Sequence, residues 1–203
     1  MEILNAIFLY FFIITFSYLL GSIPFGYLLT RYFTKIDIRN IGSGNIGTTN
    51  VLRAGKKSLA ILTLCFDIFK GFLPIYLAFK MADTDNQSIT FIYLASVFAF
   101  LGHVFPIWLK FRGGKGVATF IGIILGLSYY SALLFILSWL LIALISKKSS
   151  ISSIFASLIT TIYFYLFTSF LGPLVLFLQL IIFLKHSENI KRILNKTEPN
   201  ISL

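Results

Sequence analysis

Gly102–Thr119 reads GHVFPIWLKFRGGKGVAT, and the rest of the chain is arranged around it. The apolar segment Ile89–Leu109 runs into this stretch, and 31 uncharged residues, Gly116–Ser146, leave it. Flanks of that length and composition are membrane helices, since about 20 apolar residues span the hydrocarbon of a bilayer. Between them stand Lys110, Arg112 and Lys115, with Gly113, Gly114 and Gly116 around the last lysine. Glycines lack the Cβ that would keep backbone N–H groups from turning toward one point. A helix starting at Gly116 or Val117 would add the unpaired N–H groups of its first turn. The chemistry is that of a phosphate cradle at the end of a membrane helix. A nucleotide P-loop is excluded, because that motif needs G-x-x-x-x-G-K-[ST] after a strand, and here Gly116 follows the lysine. A basic, glycine-rich hairpin serving only to orient the chain accounts for the same residues.

Composition points the same way. Of 203 residues, 58% are hydrophobic and 12% charged, against about 25% charged in a soluble domain. The chain is expected to be an all-α polytopic membrane protein. Cys65 is the single cysteine, and His103 and His186 are far from any metal-ligand spacing, so no disulfide and no metal site are expected. The net charge of +10 would suit nucleic acid, but its distribution does not.

Working outward, Ile3–Thr30 carries no charge over 28 residues. It is too long for a signal peptide, lacks a basic leader (Glu2 is acidic) and shows no small-residue cleavage site. It reads as a retained helix, kinked or ended early by Gly21, Pro24 and Gly26. Residues 31–57 hold six basic residues against Asp37 and are expected to be cytoplasmic, which puts the N-terminus outside. Ser58–Phe79 is apolar apart from Asp67 and Lys70, and Lys80–Gln87, with Asp83 and Asp85, is an acidic external turn. Lys147 and Lys148 should also lie inside. The positive-inside rule then favours two crossings in Gly116–Ser146, turning near Gly126-Leu127-Ser128. It favours two more in the 36 uncharged residues Ser149–Leu184, turning near Gly172-Pro173. The sum is about seven crossings with the C-terminus cytoplasmic; five longer, tilted ones share the same termini. In this topology 15 of the 17 basic residues fall in 31–57, 110–115, 147–148 and the tail. No repeat or linker divides the chain, so residues 1–203 are expected to form one domain. Its working loops are 31–57, 102–119, 147–153 and 185–198.

Four polar constellations stand out. Gly42–Arg53, GSGNIGTTNVLR, is a run of small, hydroxyl and amide residues closed by an arginine. It suits turns that donate hydrogen bonds to an anion gripped by a guanidinium; a flexible linker is the alternative. Asp67 and Lys70, three apart, share a helix face within a crossing, as a functional pair or a structural ion pair. Ser149, Ser150, Ser152 and Ser153 read as a helix start with a serine N-cap. In the tail His186, Asn189 and Arg192 fall three apart on one face of a short helix, with Glu198 following.

With these residues in order, the chain resembles the bacterial integral-membrane glycerol-3-phosphate acyltransferases that use acyl phosphate as donor, the PlsY family. The resemblance covers nearly the whole chain. It rests on GSGNIGTTNVLR (42–53), GHVFPIWLKFRGGKGVAT (102–119) and HSENIKRILNKTE (186–198), with DIFKG (67–71) resembling the family's second-helix signature. Departures are Thr48 where alanine is usual, Asn195-Lys196 where a glycine often occurs, and Lys147-Lys148 in place of Arg-Tyr or Gly-Tyr. The resemblance implies transfer of a fatty acyl group from acyl phosphate to the 1-hydroxyl of glycerol 3-phosphate at the cytoplasmic face of the bacterial inner membrane. It implies no metal or other cofactor. It assigns Ser43, Arg53, Lys115, His186 and Asn189 to catalysis. Gly113, Gly114, Gly116, Asn45 and Ser150 go to phosphate binding, and Asp67, Lys70, His103 and Glu198 to support behind the site. Expected partners are the two substrates, the bilayer and, as a candidate, the enzyme that makes acyl phosphate.

The residues agree chemically with that implication. Two phosphate-bearing substrates account for cationic groups in separate loops, and acyl phosphate carries its own good leaving group. Positioning and charge neutralisation then suffice. Neither His103 nor His186 has an aspartate five residues on, so the H-x₄-D chemistry of the other acyltransferase class is absent. The rival class is an organic-phosphate transporter, which predicts paired repeats and helices broken near the midplane. A purely structural membrane subunit would leave the three motifs unexplained.

Overall fold

Pro24 decides the first break. The computed structural model describes residues 2–82 and 84–201, with the side chains of residues 2–6, 85 and 86 left out of the description. In it the N-terminal apolar run forms α1 (Glu2–Ser22) and α2 (Phe25–Thr34), separated at Ile23 and Pro24. Proline lacks the N–H that would continue the ladder, so the expected early ending is what occurs. Every regular element among the described residues is helical: α3 (Thr48–Arg53), α4 (Lys57–Met81), α5 (Asp85–Val104), α6 (Val117–Leu127), α7 (Tyr129–Ser146), α8 (Ser149–Phe167), α9 (Gly172–Lys185) and α10 (Ser187–Leu194), with 3₁₀ turns at Ile38–Asn40 and Ile107–Leu109. Asp83, expected in the acidic turn, lies outside the described residues.

The seven apolar segments expected from the sequence are all helical, but they differ in reach. Among the described residues five helices are long and apolar enough to cross a membrane, or six if the bent pair α9–α10 counts as one span. α6, with 11 residues, rises only about 16 Å and is too short to cross by itself. The turns fall where expected: Ser128 caps α7 by accepting from the Ser131 N–H, and Gly172-Pro173 opens α9 after a break at 168–171.

The chain falls into two compact units, Met1–Gly126 and Leu127–Leu203. In the first, backbones approach closely at glycines. A Cβ on Gly21 would overlap Ala99, and one on Gly102 would overlap Tyr18 and Ser22, so α1 and α5 cross with nothing between their main chains. Gly71 and Gly122 do the same for α4 and α6. Close approach at small residues is how membrane helices gain packing without a hydrophobic driving force. α4 buries one face, Thr63, Asp67, Lys70, Gly71, Pro74, Ile75 and Ala78, at helical spacing. In the second unit α8 buries Ser150, Ser153, Ser157, Thr160 and Thr161. The hydroxyls of Ser153, Ser157, Thr160 and Thr161 donate to the carbonyl four residues back, so this polar face satisfies itself. The serines do not cap α8 as expected: Lys148 holds that position, and Ser149 is already helical.

Candidate active site

The first polar motif is held by one buried amide. The run Ile41–Gly47 cannot form regular structure, because Gly42 (φ 56°) and Gly44 (φ 69°) sit in the left-handed region. Asn50, in α3, reaches back into this loop. Its Nδ2 lies 3.1, 2.9 and 2.8 Å from the carbonyl oxygens of Ile38, Ile41 and Asn45, and its Oδ1 accepts from the Ser43 N–H at 3.0 Å. Ser43 is thereby presented to solvent while its backbone is fixed. Beneath the loop Ile38, Ile46, Val51, Leu59, Ala60 and Leu109 form an apolar cluster. Leu109 belongs to the second motif, so this cluster joins the first two motifs at one end of the unit. Arg53 follows Asn50 by one turn, and its Cδ lies 3.9 Å from where a Cβ on Gly42 would stand, beside Ser43. Asp37 closes the loop's entry through a bidentate pair with Arg39, the shortest contact 2.6 Å. The side-chain hydrogen bond from Arg39 pulls its carboxyl down to about 2.

The second motif folds differently from the expectation. The N–H groups of Gly113 and Gly114 do not point at an anion: they donate to the Val104 and His103 carbonyls, each at 3.1 Å. These two glycines are required by packing. A Cβ on Gly113 would strike the His103 carbonyl, and one on Gly114 would strike the His103 ring. Gly116 has φ 89°, and a Cβ there would strike the Phe100 ring. Lys115, half-buried, follows these glycines and leads into the first turn of α6, whose N–H groups have no intrahelical acceptors.

Behind the turn lies the ion pair. Asp67 and Lys70 approach to 2.8 Å and are both essentially buried, and Lys70 Nζ donates at 2.7 Å to the Ile23 carbonyl exposed by the α1–α2 break. His103 Nδ1 stands 3.8 Å from Asp67 Oδ1.

In the second unit the tail motif centres on Glu198. Its Oε1 accepts from Ser150 Oγ and from Asn189 Nδ2, both at 2.7 Å, and Oε2 accepts from Arg192 Nε at 2.8 Å. Burial works against the charged form, but the bonds from Asn189, Ser150 and Arg192 outweigh it and hold the carboxyl below its ordinary value. The single hydroxyl proton of Ser150 is directed at Glu198. Lys148 Nζ donates to the Glu198 carbonyl at 2.6 Å, so the 147–148 turn and the tail meet. His186, where α9 bends into α10, has Nδ1 2.8 Å from the Ile182 carbonyl. A carbonyl can only accept, so Nδ1 carries the proton and Nε2 is the basic nitrogen of the neutral ring.

A family profile described as glycerol-3-phosphate acyltransferase matches residues 11–196. The chain belongs to the glycerol-3-phosphate acyltransferase family. Within that family it is 51% identical over 183 residues to the glycerol-3-phosphate acyltransferase of Pelagibacter ubique, covering 90% of this chain and 92% of the relative. It is 48% identical over 187 residues to that of Bartonella henselae, covering 91% and 88%. Among solved structures it is similar to PlsY, an integral membrane glycerol 3-phosphate acyltransferase, in its glycerol 3-phosphate form. That match has a TM-score of 0.88 and 34% identity, covering 95% of this chain and 96% of the other. The lysophosphatidic acid form matches with a TM-score of 0.85 and 32% identity, covering 95% of each chain.

Sequence reasoning quoted Asn50 within its motif but gave it no role. The usable signal was an amide one turn before Arg53, in a loop whose glycines leave carbonyls unpaired. The Ser150–Glu198 bond was beyond reach, because 48 residues separate the partners.

Proposed function

We propose that this protein transfers a fatty acyl group from acyl phosphate to the 1-hydroxyl of glycerol 3-phosphate, giving lysophosphatidic acid and inorganic phosphate. The observation that carries this is the likeness, over 95% of the chain, to PlsY in its glycerol 3-phosphate form. The hydroxyl oxygen attacks the acyl carbonyl, a C–O bond forms, and the bond to the phosphate oxygen breaks. The departing phosphate takes the electron pair. The hydroxyl proton passes either to His186 or to a substrate phosphate oxygen.

Ser43, Arg53, Lys115, His186 and Asn189 are the residues proposed to carry the reaction. Lys115 and the first turn of α6 receive the phosphate of glycerol 3-phosphate, with Gly113, Gly114 and Gly116 shaping the turn. Arg53, beside Ser43 and Asn45, meets the acyl phosphate. Charges aimed at where negative charge develops are the largest catalytic lever such a site has. Residues 1–203 act as one catalytic domain in the bacterial inner membrane, N-terminus outside, with loops 31–57, 110–115, 147–148 and the tail facing the cytoplasm. The charge asymmetry supports that orientation. The enzyme that makes acyl phosphate is the natural partner, since that substrate is labile and amphiphilic.

The test is the purified protein with glycerol 3-phosphate and palmitoyl phosphate, assayed for lysophosphatidate. Product with palmitoyl phosphate and none with palmitoyl-CoA is expected, and comparable turnover with the thioester would overturn the donor assignment. Uptake of glycerol phosphate into proteoliposomes without acylation would favour a transporter. Single-cysteine labelling at positions 55, 114, 148 and 196 should report one side for all.

A further inference from the structure

The buried charges on α4 take no part in the chemistry above, yet they lie directly behind the turn that carries Lys115. Lys70 is 1% exposed, Asp67 2% and His103 4%. Charged and polar side chains are rarely enclosed so fully unless something depends on where they stand. The His103 ring lies between two neighbours. Its Nδ1 edge faces Asp67 at 3.8 Å. Its Nε2 edge occupies the space that a side chain on residue 114 would need, and Nε2 is the first atom such a Cβ would meet. The His103 backbone holds the same residue, since its carbonyl accepts the Gly114 N–H at 3.1 Å. Asp67 is fixed in turn by Lys70, which is anchored on the Ile23 carbonyl at 2.7 Å. A continuous series of contacts thus runs from the α1–α2 break, through the ion pair and the imidazole, to the glycine turn.

We propose that His103 is a positioning residue: its ring, braced by the Asp67–Lys70 pair, is the spacer that sets how far the Gly113–Gly116 turn stands from α5, and so where Lys115 and the first turn of α6 meet phosphate. Gly114 is then a glycine because of His103, and not because an anion must approach its backbone. This rests on the reading of the turn as the glycerol 3-phosphate site.

The experiment is a double-mutant cycle of Gly114→Ala and His103→Ala, with KM for each substrate, kcat and folded yield measured for all four proteins. Gly114→Ala in the otherwise native chain is expected to raise KM for glycerol 3-phosphate by roughly 10-fold or more, because the methyl pushes the turn off the ring. In the His103→Ala background the same methyl has room, and its further effect should shrink to about 2-fold or less. His103→Ala alone should raise KM for glycerol 3-phosphate with KM for acyl phosphate unchanged. His103→Gln, which returns atoms near Nε2, should recover part of that loss.

An equal penalty for Gly114→Ala in both backgrounds would mean that the methyl meets something other than His103, and the proposal fails. It fails too if His103→Ala and His103→Gln lower folded yield but leave both KM values unchanged, since the residue would then be merely structural. If Gly114→Ala alone does not fold, recovery of folded protein in the double variant supports the contact and its absence overturns it. If the non-additivity appears in KM for acyl phosphate instead, His103 still positions the turn, and it is the assignment of the turn to glycerol 3-phosphate that falls.

Discussion

Replacing Asn50 by aspartate changes one atom type in a side chain of unchanged shape, and the structure says it should be worse than removing the side chain altogether. The amide has two hydrogens shared among the carbonyls of Ile38, Ile41 and Asn45, and its oxygen accepts from the Ser43 N–H. Asn50→Ala loses three neutral hydrogen bonds at about 1 kcal/mol each, or roughly 3 kcal/mol. Asn50→Asp keeps the Ser43 bond but loses both donated hydrogens, about 2 kcal/mol. It also sets a carboxylate against three carbonyl oxygens in a site where the residue is 2% exposed. Burying an unpaired charge costs several kcal/mol unless the group neutralises. The introduced carboxyl will therefore titrate above its ordinary value, and as pH falls through that raised value the protonated form regains one donor and stability returns. The assay is hydrogen–deuterium exchange over residues 38–53, with thermal unfolding and kcat/KM alongside. The expected order of protection at neutral pH is native, then Asn50→Ala, then Asn50→Asp, with the last variant improving on acidification. An Asn50→Asp protein as well protected as Asn50→Ala at neutral pH would refute the assigned amide geometry.

Three further outcomes follow from the same structure. Asp67→Asn leaves Lys70 enclosed without its counter-charge and should cost about 3–5 kcal/mol, whereas Asp67→Leu with Lys70→Met should cost less than the two single changes summed; unfolding of the purified variants in one detergent tests this. Glu198 has a depressed carboxyl, so its contribution is fully present above the ordinary carboxylate range and fades as pH falls through the depressed value. Glu198→Gln should lower the native Tm near neutrality and flatten its dependence on pH over that acidic window; an unchanged slope would show that Glu198 is not the titrating group. Gly116→Ala forces a side chain into φ 89° against Phe100, and should cost at least about 1 kcal/mol; adding Phe100→Leu should recover the steric part of the loss and leave the backbone part.

Much of the fold was legible because its breaks are chemical. Pro24 removes a donor, Ser128 offers a cap, and Gly172-Pro173 opens a helix; each can be read without knowing any neighbour. Span length was less legible. The turn near Gly126-Leu127-Ser128 could be placed, but the helix before it has only 11 residues, too short by itself for the crossing expected there. The site divided in the same way. Lys115, Arg53 and Ser43 could be nominated from charge and composition. The use of the Gly113 and Gly114 N–H groups could not, since it depends on α5 ending where the Val104 and His103 carbonyls face the turn. Both glycines have a packing reason of their own, and a glycine needed for an approaching anion and one needed for an approaching ring look the same in a sequence.

The two hubs, Asn50 and Glu198, solve one problem with opposite chemistry, and the difference limits what their neighbours can do. Asn50 faces three backbone carbonyls, so it must donate, and its partners survive substitution of the side chains around it. Glu198 faces three side-chain donors, so it must accept, and it depends on the identities of Ser150, Asn189 and Arg192. Each of those bonds commits a hydrogen. Ser150 has one and commits it. Asn189 commits a hydrogen of Nδ2. Arg192 commits only Nε–H. If the tail motif binds a phosphate, Ser150 can therefore donate to it only by breaking its bond to the carboxylate. Ser150→Ala should accordingly act through Glu198, lowering stability and raising the carboxyl's titration point. Asn189→Ala should lower kcat/KM beyond any loss of stability it shares with Ser150→Ala, and equal effects of the two would place Asn189 among the supports as well.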